Sequence, residues 1–385
     1  MKIAFVVGEP SGDAIGADLI RALRSRLAGD LEFVGLAGEA MQAEGMESLF
    51  DIEELSIMGV SAILARLPQL VRRVGQTADA IVAARPDALV IIDSPTFSHR
   101  VAKRVRAKLP AMPIVNYIPP TVWAWREGRA AKMVAYVDHA ICALPFEPDT
   151  MARLGGPPST YVGHPLMKQP GVAAILADPA PLTSKLPQSP PRLVILPGSR
   201  RGEIDRLAAD FGATLARLAE LLPGVTAVLP TLARHRDRIE AEVAKWQVKP
   251  EIVIGNDAKW AAFAGADAAL AASGTVSLEL ALAGVPMALA YKLDPVAYQI
   301  RTLISAWTAA MPNFIVGHPL VPEHFHEFVR PEMLARRLER LMTETPERTA
   351  QLAGFDDIRR LMAIDRAPGE AAAEIVLALV KTGRG

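Results

Sequence analysis

Several kinds of protein are excluded by what this sequence lacks. A single cysteine, Cys142, occurs among 385 residues, which excludes a disulfide framework and a zinc site built on cysteines. Because Cys142 lies in an apolar, strand-like run, we expect it to be a buried structural thiol. No apolar run approaches the roughly 20 residues of a membrane-spanning helix. The apolar segment 1–7 ends at Gly8, so we expect no signal peptide and a cytoplasmic protein.

An excess of one charge is also missing. The 42 basic and 42 acidic residues give a net charge of 0, so we expect no nucleic-acid partner. The seven histidines show no metal-ligand spacing, since His324 and His326 form a pair without a third ligand. No Asp-x-Asp occurs, which is the pattern that holds a divalent ion against a sugar nucleotide in metal-dependent transferases. We therefore expect neither a metal nor another cofactor.

What is present is a globular composition, with 51% hydrophobic and 22% charged residues. Strand-like runs such as Lys2–Val7 and Leu193–Leu196 alternate with helical patterns such as Ile204–Leu222. This alternation predicts parallel strands with helices on both faces of each sheet. The predicted fold class is α/β, with two Rossmann-like domains that face each other across a ligand-binding cleft.

A proline-rich stretch divides the two halves. Six prolines lie between Pro170 and Pro191, a density at which we expect neither helix nor inner strand. We therefore predict a first domain over residues 1–168, a connector over 169–191 and a second domain over 192–354.

An anion site is predicted where one strand of the second domain ends. Leu193–Leu196 is followed by a turn at Gly198 and then by a long helix, so free backbone N–H groups point over the turn. Ser199 adds a hydroxyl, and Arg200 and Arg201 add charges that can pair with a phosphate. An ordinary βα turn with solvated arginines explains the stretch equally well.

A second loop repeats this arrangement. A strand-like run ends at Ser273, Gly274 and Thr275, and a helix follows with Glu279 one turn beyond Thr275. A carboxylate there could accept both hydrogen bonds of a ribose diol. Two such loops in one domain indicate a nucleotide diphosphate sugar as the ligand. Lys292 would help to neutralise the negative charge on the nucleotide diphosphate as it leaves. The alternative is a capped helix with a solvated glutamate.

The first domain carries its own polar loop, Gly8-Glu-Pro-Ser-Gly-Asp13. This is not Gly-x-Gly-x-x-Gly, so a dinucleotide site is disfavoured. Gly12 lets a substrate approach the backbone, and Glu9, Ser11 and Asp13 could bind sugar hydroxyls. A polar turn that caps a helix is the competing interpretation.

Asp93 is the candidate general base. It ends the apolar run Ala88–Ile92, and an acid at the carboxyl end of a central strand is unfavourable there unless it is used. A helix N-cap is the alternative role. After the next strand, Trp123 can stack on a sugar or line an acyl channel, and Arg126 can bind phosphate. Trp123 could equally anchor the core.

An amphipathic segment between residues 57 and 73 has basic residues along its rim. A helix of this type suits a membrane surface or acyl chains, although a core-facing helix with solvated arginines is the more common case. The apolar residues that would contact a membrane are Met58, Val60, Ile63, Leu64 and Leu67.

Together these motifs resemble one family, lipid-A-disaccharide synthase, an inverting glycosyltransferase of the two-Rossmann (GT-B) type. The resemblance runs from the first strand to residue 323. It is carried by Gly8-Glu-Pro-Ser-Gly-Asp13, Ile92-Asp-Ser-Pro95, Val122-Trp-Ala-Trp-Arg126, Leu144-Pro-Phe-Glu147, Tyr161-Val-Gly-His-Pro-Leu166, Leu196-Pro-Gly-Ser-Arg200, Ser273-Gly-Thr275 with Glu279, and Tyr291-Lys292.

The resemblance implies a metal-free transfer of 2,3-diacylglucosamine from UDP-2,3-diacylglucosamine to the 6-hydroxyl of 2,3-diacylglucosamine 1-phosphate. The products are a β-1,6 disaccharide, the core of lipid A and lipopolysaccharide, and UDP. By the same resemblance Asp93 is the essential acid, and the loop at Gly198–Arg200 holds the diphosphate. Glu279 then holds the uridine ribose, and Asn313 belongs to the donor site.

The resemblance also bears on assembly. The family's membrane-docking surface matches the segment at residues 58–70, which favours peripheral association with the inner membrane. Tail helices over about 355–385 return to the first domain in the family, and some members exchange them between the partners of a dimer. A homodimer is therefore left open.

The sequence departs from the family pattern at four positions. Thr96 replaces the second acid of Ile-Asp-x-Pro-Asp-Phe-Asn, and Ser98 replaces its asparagine. Pro119 stands where a serine is usual, and His326 where a glutamine is usual. The change at Thr96 removes one carboxylate beside the candidate base, which bears on how the acceptor is positioned more than on donor binding.

Two other functions remain open at this point. A UDP-sugar 2-epimerase shares the fold and the nucleotide loops, but it needs no acyl-binding surface. A non-catalytic paralogue that binds lipid or UDP-sugar is supported only by Thr96, Ser98 and His326, and intact donor loops count against it.

Overall fold

The chain divides into two compact units. The first contains Met1–Pro165 and Ile364–Gly385, and the second contains Leu166–Ala363. The computed structural model describes residues 1–27, 29–55, 60–177, 180–294, 298–299 and 306–383, and gives the backbone alone for residues 60–66. The helix predicted over residues 298–305 therefore lies almost wholly outside the described residues.

Over the described residues, each unit is built on a sheet of six parallel strands. The strands are β1 (Lys2–Val7), β2 (Glu32–Leu36), β3 (Ala88–Ile92), β4 (Ile114–Tyr117), β5 (His139–Cys142), β6 (Ser159–Tyr161), β7 (Arg192–Leu196), β8 (Thr226–Thr231), β9 (Glu251–Ile254), β10 (Ala268–Ala272), β11 (Met287–Tyr291) and β12 (Glu323–Phe325). Their order is β2-β1-β3-β4-β5-β6 in the first sheet and β12-β11-β10-β7-β8-β9 in the second. The α/β prediction is confirmed, because strands joined by crossover helices pair in parallel.

Helices connect and cover these strands. In the described ranges they are α1 (Pro10–Arg26), α2 (Glu39–Ala43), α3 (Val60–Ala84), α4 (Ser98–Lys108), α5 (Arg129–Met133), α6 (Glu147–Arg153), α7 (Pro170–Leu176), α8 (Arg201–Leu221), α9 (Arg236–Val243), α10 (Asn256–Ala264), α11 (Val276–Leu282), α12 (Met311–Val316), α13 (Pro331–Met342), α14 (Pro346–Met362) and α15 (Pro368–Thr382). Proline opens α1, α7 and the last three helices. A residue in the first turn of a helix has no helical partner for its backbone N–H. Proline, which lacks an N–H, is therefore tolerated there.

The two faces of the first sheet are both buried. Along β1, Ile3 and Phe5 pack with α1 and α15 on one face, whereas Ala4 and Val6 pack with α3 and α4 on the other. This alternation follows from the period of two in a strand. Cys142 at the end of β5 is fully buried, as predicted.

The tail helices are shared between the units. α13 packs on α8, and α14 also belongs to the second unit, whereas α15 packs against α1. The contact between α15 and α1 is close, since a Cβ at Gly369 would lie 2.5 Å from Asp18 Oδ2. The chain thus returns to the first unit at Ile364, later than residue 355.

Strand order places particular loops side by side. In the first sheet β1 lies between β2 and β3, and in the second sheet β7 lies between β8 and β10. At such reversals the connecting helices leave toward opposite faces, and a crevice opens at the carboxyl ends of the strands. The crevices fall at the loops after β1 and β3 and at the loops after β7 and β10.

The proline-rich stretch is more regular than predicted. Our expectation that it contains no helix is wrong for α7, which begins at Pro170 and ends before the next proline, Pro179. Because Pro170 occupies the first turn, it removes no helical hydrogen bond. Gly171 lies against the Trp260 ring, where a Cβ would come within 2.3 Å of a ring carbon.

Buried Asp267 links the end of this stretch to the second sheet. Its carboxylate accepts hydrogen bonds from the backbone N–H groups of Gln188 and Arg192, each at 2.8 Å. Its carbonyl accepts one from Arg348 Nη1 at 2.7 Å, and Arg348 is itself buried. A buried carboxylate is tolerated when such donors surround it.

We expect Asp267→Ala to lower the free energy of unfolding by about 2 kcal/mol, because two N–H groups lose their acceptor in a poorly solvated place. Urea denaturation measures the change. The matched control is Asp257→Ala, whose side chain is exposed, and its effect should stay within about 0.5 kcal/mol. Equal midpoints for the two variants would contradict the role of Asp267.

Candidate active site

A cavity of about 490 Å³ opens at the carboxyl edge of the second sheet. The loops after β7, β8, β9 and β10 all contribute to its wall, in agreement with the strand-order argument. The predicted residues that line it are Gly198, Ser199, Arg200, Ser273, Gly274, Thr275 and Glu279. Two loops that are distant in the sequence thus meet at one cavity.

The loop after β7 already binds a carboxylate from its own chain. Glu203 Oε2 accepts the N–H groups of Ser199 at 3.0 Å and Arg200 at 3.2 Å, and Oε1 accepts Arg200 Nη1 at 2.9 Å. This corrects the prediction that these two N–H groups are free. Glu203 thus caps the start of α8 as the glutamate of a capping box does, whereas Arg200 accepts the Glu203 N–H with its backbone carbonyl. Sequence reasoning missed the signal because the cap residue is arginine.

Gly198 makes this cap by Glu203 sterically feasible. Its φ of 129° is unfavourable for other residues, and a Cβ there would lie 2.4 Å from Glu203 Cβ. Arg200 is 73% exposed at its side chain, so its ion pair with Glu203 contributes little stability. The Arg200 guanidinium therefore remains accessible from the cavity.

The loop after β10 faces a second ion pair. Both oxygens of Glu279 contact Lys259 Nζ, at 2.9 and 2.8 Å. Lys259 on α10 also lines the cavity and was missed by sequence reasoning, since it belongs to no motif that we recognised. Ser273 Oγ donates to the carbonyl of Ala309 at 2.8 Å.

In the first unit, Asp93 is held in an unusual backbone conformation. Asp93 and Ser94 have φ values of 51° and 46°, in the left-handed region that favours glycine. Asp93 Oδ1 accepts the N–H of Ser94 at 2.7 Å, while Ser98 Oγ donates to the carbonyl oxygens of Asp93 and Ser94 at 2.7 and 3.0 Å. Strain of this kind is concentrated at functional sites.

The loop after β1 lies against this strained turn. A Cβ at Gly8 would come within 2.5 Å of Ser94, and a Cβ at Gly12 would lie 3.5 Å from Asp93 Cβ. Partial burial and then the charge of Asp93 raise the pKa of Glu9, so the two carboxyl groups lie close enough to interact. Ser11 is exposed beside them.

Asp13 has a different role from the one predicted. It is buried, and its carboxylate accepts backbone N–H groups of Gly38 at 2.9 Å, Ala40 at 2.7 Å and Met41 at 3.1 Å. These are the unpaired N–H groups at the start of α2. We therefore assign Asp13 to the fold rather than to sugar binding.

Comparisons with known proteins decide the family. The family model described as lipid-A-disaccharide synthetase matches residues 3–375. A lipid-A-disaccharide synthase of Nitrobacter winogradskyi is 48% identical over 100% of this chain and 96% of that protein. The chain belongs to the lipid-A-disaccharide synthase family. A relative from Rhodospirillum centenum is 40% identical over 99% of this chain and 95% of that protein. The resemblance is confirmed, and the chain is a disaccharide-forming glycosyltransferase.

Solved structures agree on the fold. A UDP-GlcNAc 2-epimerase from Neisseria meningitidis bound to UDP-GlcNAc is 13% identical, with a TM-score of 0.58 over 99% of this chain and 100% of that one. The glycosyltransferase of kitacinnamycin is 15% identical, with a TM-score of 0.61 over 98% and 99% of the two chains. At these identities the likeness extends to the fold alone, which epimerases and glycosyltransferases share.

Two residues assigned to the donor site of this family lie outside the cavity wall. Lys292 Nζ pairs with Asp210 Oδ2 on α8 at 2.5 Å. Asn313 is buried, and its Oδ1 accepts the N–H groups of Leu320 at 3.0 Å and Val321 at 2.7 Å. Both side chains therefore have partners within the chain, and their role in donor binding stays a prediction.

The segment predicted to contact a membrane is described only in part. Met58, and the side chains of Val60, Ile63 and Leu64, lie outside the described residues. Leu67 lies on α3 and is 41% exposed. None of the described helices is both long and apolar enough to cross a membrane. Within the same residues, no cluster of three or more His, Cys, Asp or Glu side chains could hold a metal ion.

The tryptophan loop of the synthase is anchored by a buried acid. Trp123 is half-buried and donates its indole N–H to Glu147 Oε1 at 3.2 Å. Glu147 Oε2 accepts the N–H groups of Ala143 and Leu144 at 3.1 and 3.0 Å. Further along, the exposed Arg126 guanidinium stacks 4.3 Å from the Trp125 ring. Glu147 thus connects α6 to the loop that carries both tryptophans.

We expect Glu147→Gln to gain stability relative to the wild-type chain as the pH rises from about 5 to 8. Burial raises the pKa of Glu147 from 4.5 to about 7, so the folded state keeps a proton that the unfolded state loses. The wild-type chain therefore loses stability as the pH rises through this interval, whereas glutamine cannot ionise.

Urea denaturation at pH 5 and pH 8 measures this effect. The difference in unfolding free energy between variant and wild type should shift by about 2 kcal/mol. The exposed Glu47 provides the control Glu47→Gln, which should show no comparable shift. A constant difference for Glu147→Gln would mean that Glu147 ionises as it does in water.

Proposed function

We propose that this enzyme transfers 2,3-diacylglucosamine from UDP-2,3-diacylglucosamine to the 6-hydroxyl of 2,3-diacylglucosamine 1-phosphate, releasing UDP. The observation that carries the proposal is the pair of βα loops at one cavity of the second unit, within a chain of the lipid-A-disaccharide synthase family. The first unit would bind the acceptor and its acyl chains, and the second would bind the donor.

The diphosphate would bind at the loop Gly198–Arg200. The attraction of this turn for anions is supported by the Glu203 carboxylate, which occupies its N–H groups in the free protein. The diphosphate would displace or adjoin that carboxylate and recruit the exposed Arg200 guanidinium. Negative charge that develops on the leaving UDP would then be stabilised without a metal ion.

The nucleoside would occupy the rest of the cavity. Glu279 would accept hydrogen bonds from the ribose diol, next to the backbone of Ser273–Thr275. Apolar side chains of Pro230, Leu232 and Ile254 line the same cavity and offer a surface for a flat base. A cavity of about 490 Å³ is within the usual range for a ligand of this size.

Asp93 would act as the general base in a single displacement. It would take the proton of the acceptor hydroxyl as that oxygen attacks the anomeric carbon and UDP leaves from the opposite face, which inverts the configuration. The strained turn supports this role, since Ser98 Oγ donates to the Asp93 carbonyl oxygen and the Ser94 N–H donates to the Asp93 carboxylate. Glu9, Ser11 and Trp123 would contact the acceptor sugar, with the backbone of Gly12 beside them, and Arg126 its phosphate.

Asp93→Asn should lower kcat by about a thousandfold and leave the Kd for UDP within about twofold, because an amide cannot accept the proton. Turnover is measured by mass detection of the disaccharide, and UDP binding by calorimetry. Asp30→Asn, at an exposed position of the same unit, is the control. Near-normal turnover of Asp93→Asn would refute the base assignment.

The same assay separates the two alternatives. A 2-epimerase would convert the UDP-sugar without the acceptor, and a non-catalytic paralogue would bind UDP-sugar and form no product. The proposed transferase consumes both substrates in equal amounts and requires no added divalent ion.

We further propose that the first unit attaches peripherally to an anionic membrane surface. Leu67 and Val71 lie one turn apart on α3 and are 41% and 44% exposed, beside the exposed Arg72. Exposed apolar residues flanked by a cation suit the interface of an anionic bilayer.

Leu67→Glu combined with Val71→Glu should reduce co-sedimentation with anionic vesicles by about tenfold, because two charges replace apolar contacts. Val134→Glu with Leu361→Glu makes the same charge change at apolar residues that are 47% exposed elsewhere. This control should sediment as the wild type does. Equal sedimentation of both double variants would argue against the α3 surface.

A further inference from the structure

Lys259 stands out among the residues that line the cavity of the second unit, which is the donor cavity of the proposed function. It is one of two cations in the described part of the cavity wall, and the other, Arg200, is paired with Glu203 at the opposite loop. Lys259 Nζ contacts both oxygens of Glu279, at 2.9 and 2.8 Å. The Lys259 and Glu279 side chains are only 21% and 13% exposed, so this pair is better shielded from solvent than the pair at Arg200.

The geometry leaves Glu279 able to bind a ligand. A carboxylate has about four lone-pair sites, of which one ammonium group occupies two. The remaining two can accept the 2′- and 3′-hydroxyls of a ribose. A lysine that contacts both oxygens also limits the rotation of the carboxylate.

Lys259 is itself held in place. Its ammonium lies 4.9 Å from the centre of the Trp260 ring and 5.9 Å from that of Phe263. Both rings belong to buried residues of α10 itself. The ion pair thus joins α10 to α11 through a lysine whose position is set by packing against aromatic rings.

We propose that Lys259 is the positioning residue for ribose recognition. It would orient the Glu279 carboxylate toward the ribose diol of a uridine diphosphate, without touching the ligand itself. The inference rests on the proposed function, because it assumes that Glu279 binds the ribose.

The test compares UDP with 2′-deoxy-UDP by calorimetry on the same protein preparation. The ratio of the two Kd values reports the contribution of the 2′-hydroxyl, and partial inactivation of a variant cancels from it. The wild type should bind UDP about tenfold more tightly, since one hydrogen bond to a charged group contributes on that order. In Lys259→Met, which keeps an unbranched apolar stem beside Trp260, the ratio should fall to about two.

Two further variants complete the design. Lys259→Arg keeps the charge and should restore most of the ratio. Lys245→Met removes a cation whose side chain is 70% exposed and lies outside the donor cavity, so its ratio should equal that of the wild type.

The outcomes separate the two ideas. If the wild type does not distinguish UDP from 2′-deoxy-UDP, the ribose assignment in the proposed function fails, and the inference about Lys259 fails with it. If the wild type discriminates and Lys259→Met discriminates equally, only the role of Lys259 is overturned. If Lys259→Met binds neither nucleotide, Lys259→Arg becomes the deciding variant. The proposal is overturned if Lys259→Arg binds UDP but binds 2′-deoxy-UDP equally well.

Discussion

Both candidate sites depend on one constraint of parallel sheets, the reversal of strand order. Because β10 pairs with β7 from the side opposite to β8, the loops that follow β7 and β10 emerge next to each other. The same geometry brings the loops after β1 and β3 together in the first unit. Residues that are far apart along the chain can therefore serve one ligand, and neither loop could form such a site alone.

A second feature follows from placing charged groups at those reversals. A site that binds an anionic nucleotide must hold cations and helix N-termini in the absence of the ligand. In the donor cavity these groups are paired internally, Arg200 with Glu203 and Lys259 with Glu279. Such pairing satisfies these polar groups within the chain. A nucleotide that binds at the proposed site would compete with these carboxylates rather than with water alone.

Three residues with a predicted binding role make hydrogen bonds or ion pairs within the chain. Asp13 was assigned to sugar binding because it lies in a polar loop after a strand. Lys292 was assigned to the leaving charge in the absence of a metal pattern, and Asn313 was assigned to the donor site by the family resemblance. The structure uses each of them internally, as a cap for α2, as a partner of Asp210 and as a clamp on residues 320–321. A polar side chain serves the fold wherever buried N–H groups lack other acceptors, and only the tertiary neighbours reveal those groups.

Secondary structure was predicted well where periodicity was strong and poorly where it was not. The runs at β1 and β3 have the predicted bounds, because buried strands of a parallel sheet are continuously apolar. The short α2 and β12 were not predicted, since neither shows a period of its own. α7 formed against expectation, because the position of a proline within a helix matters more than the density of prolines.

The sequence by itself determined the alternation of strands and helices, the family, and the residue types at the ends of β1, β3, β7 and β10. These follow from local patterns of hydrophobicity and from motifs that survive in linear order. Only the tertiary structure decided that Lys259 faces Glu279, that Glu203 occupies the Ser199 and Arg200 N–H groups, and that Ser98 holds Asp93 in a left-handed conformation. Pairings of this kind depend on strand order and packing, and local sequence carries no record of which distant side chain completes a hydrogen bond.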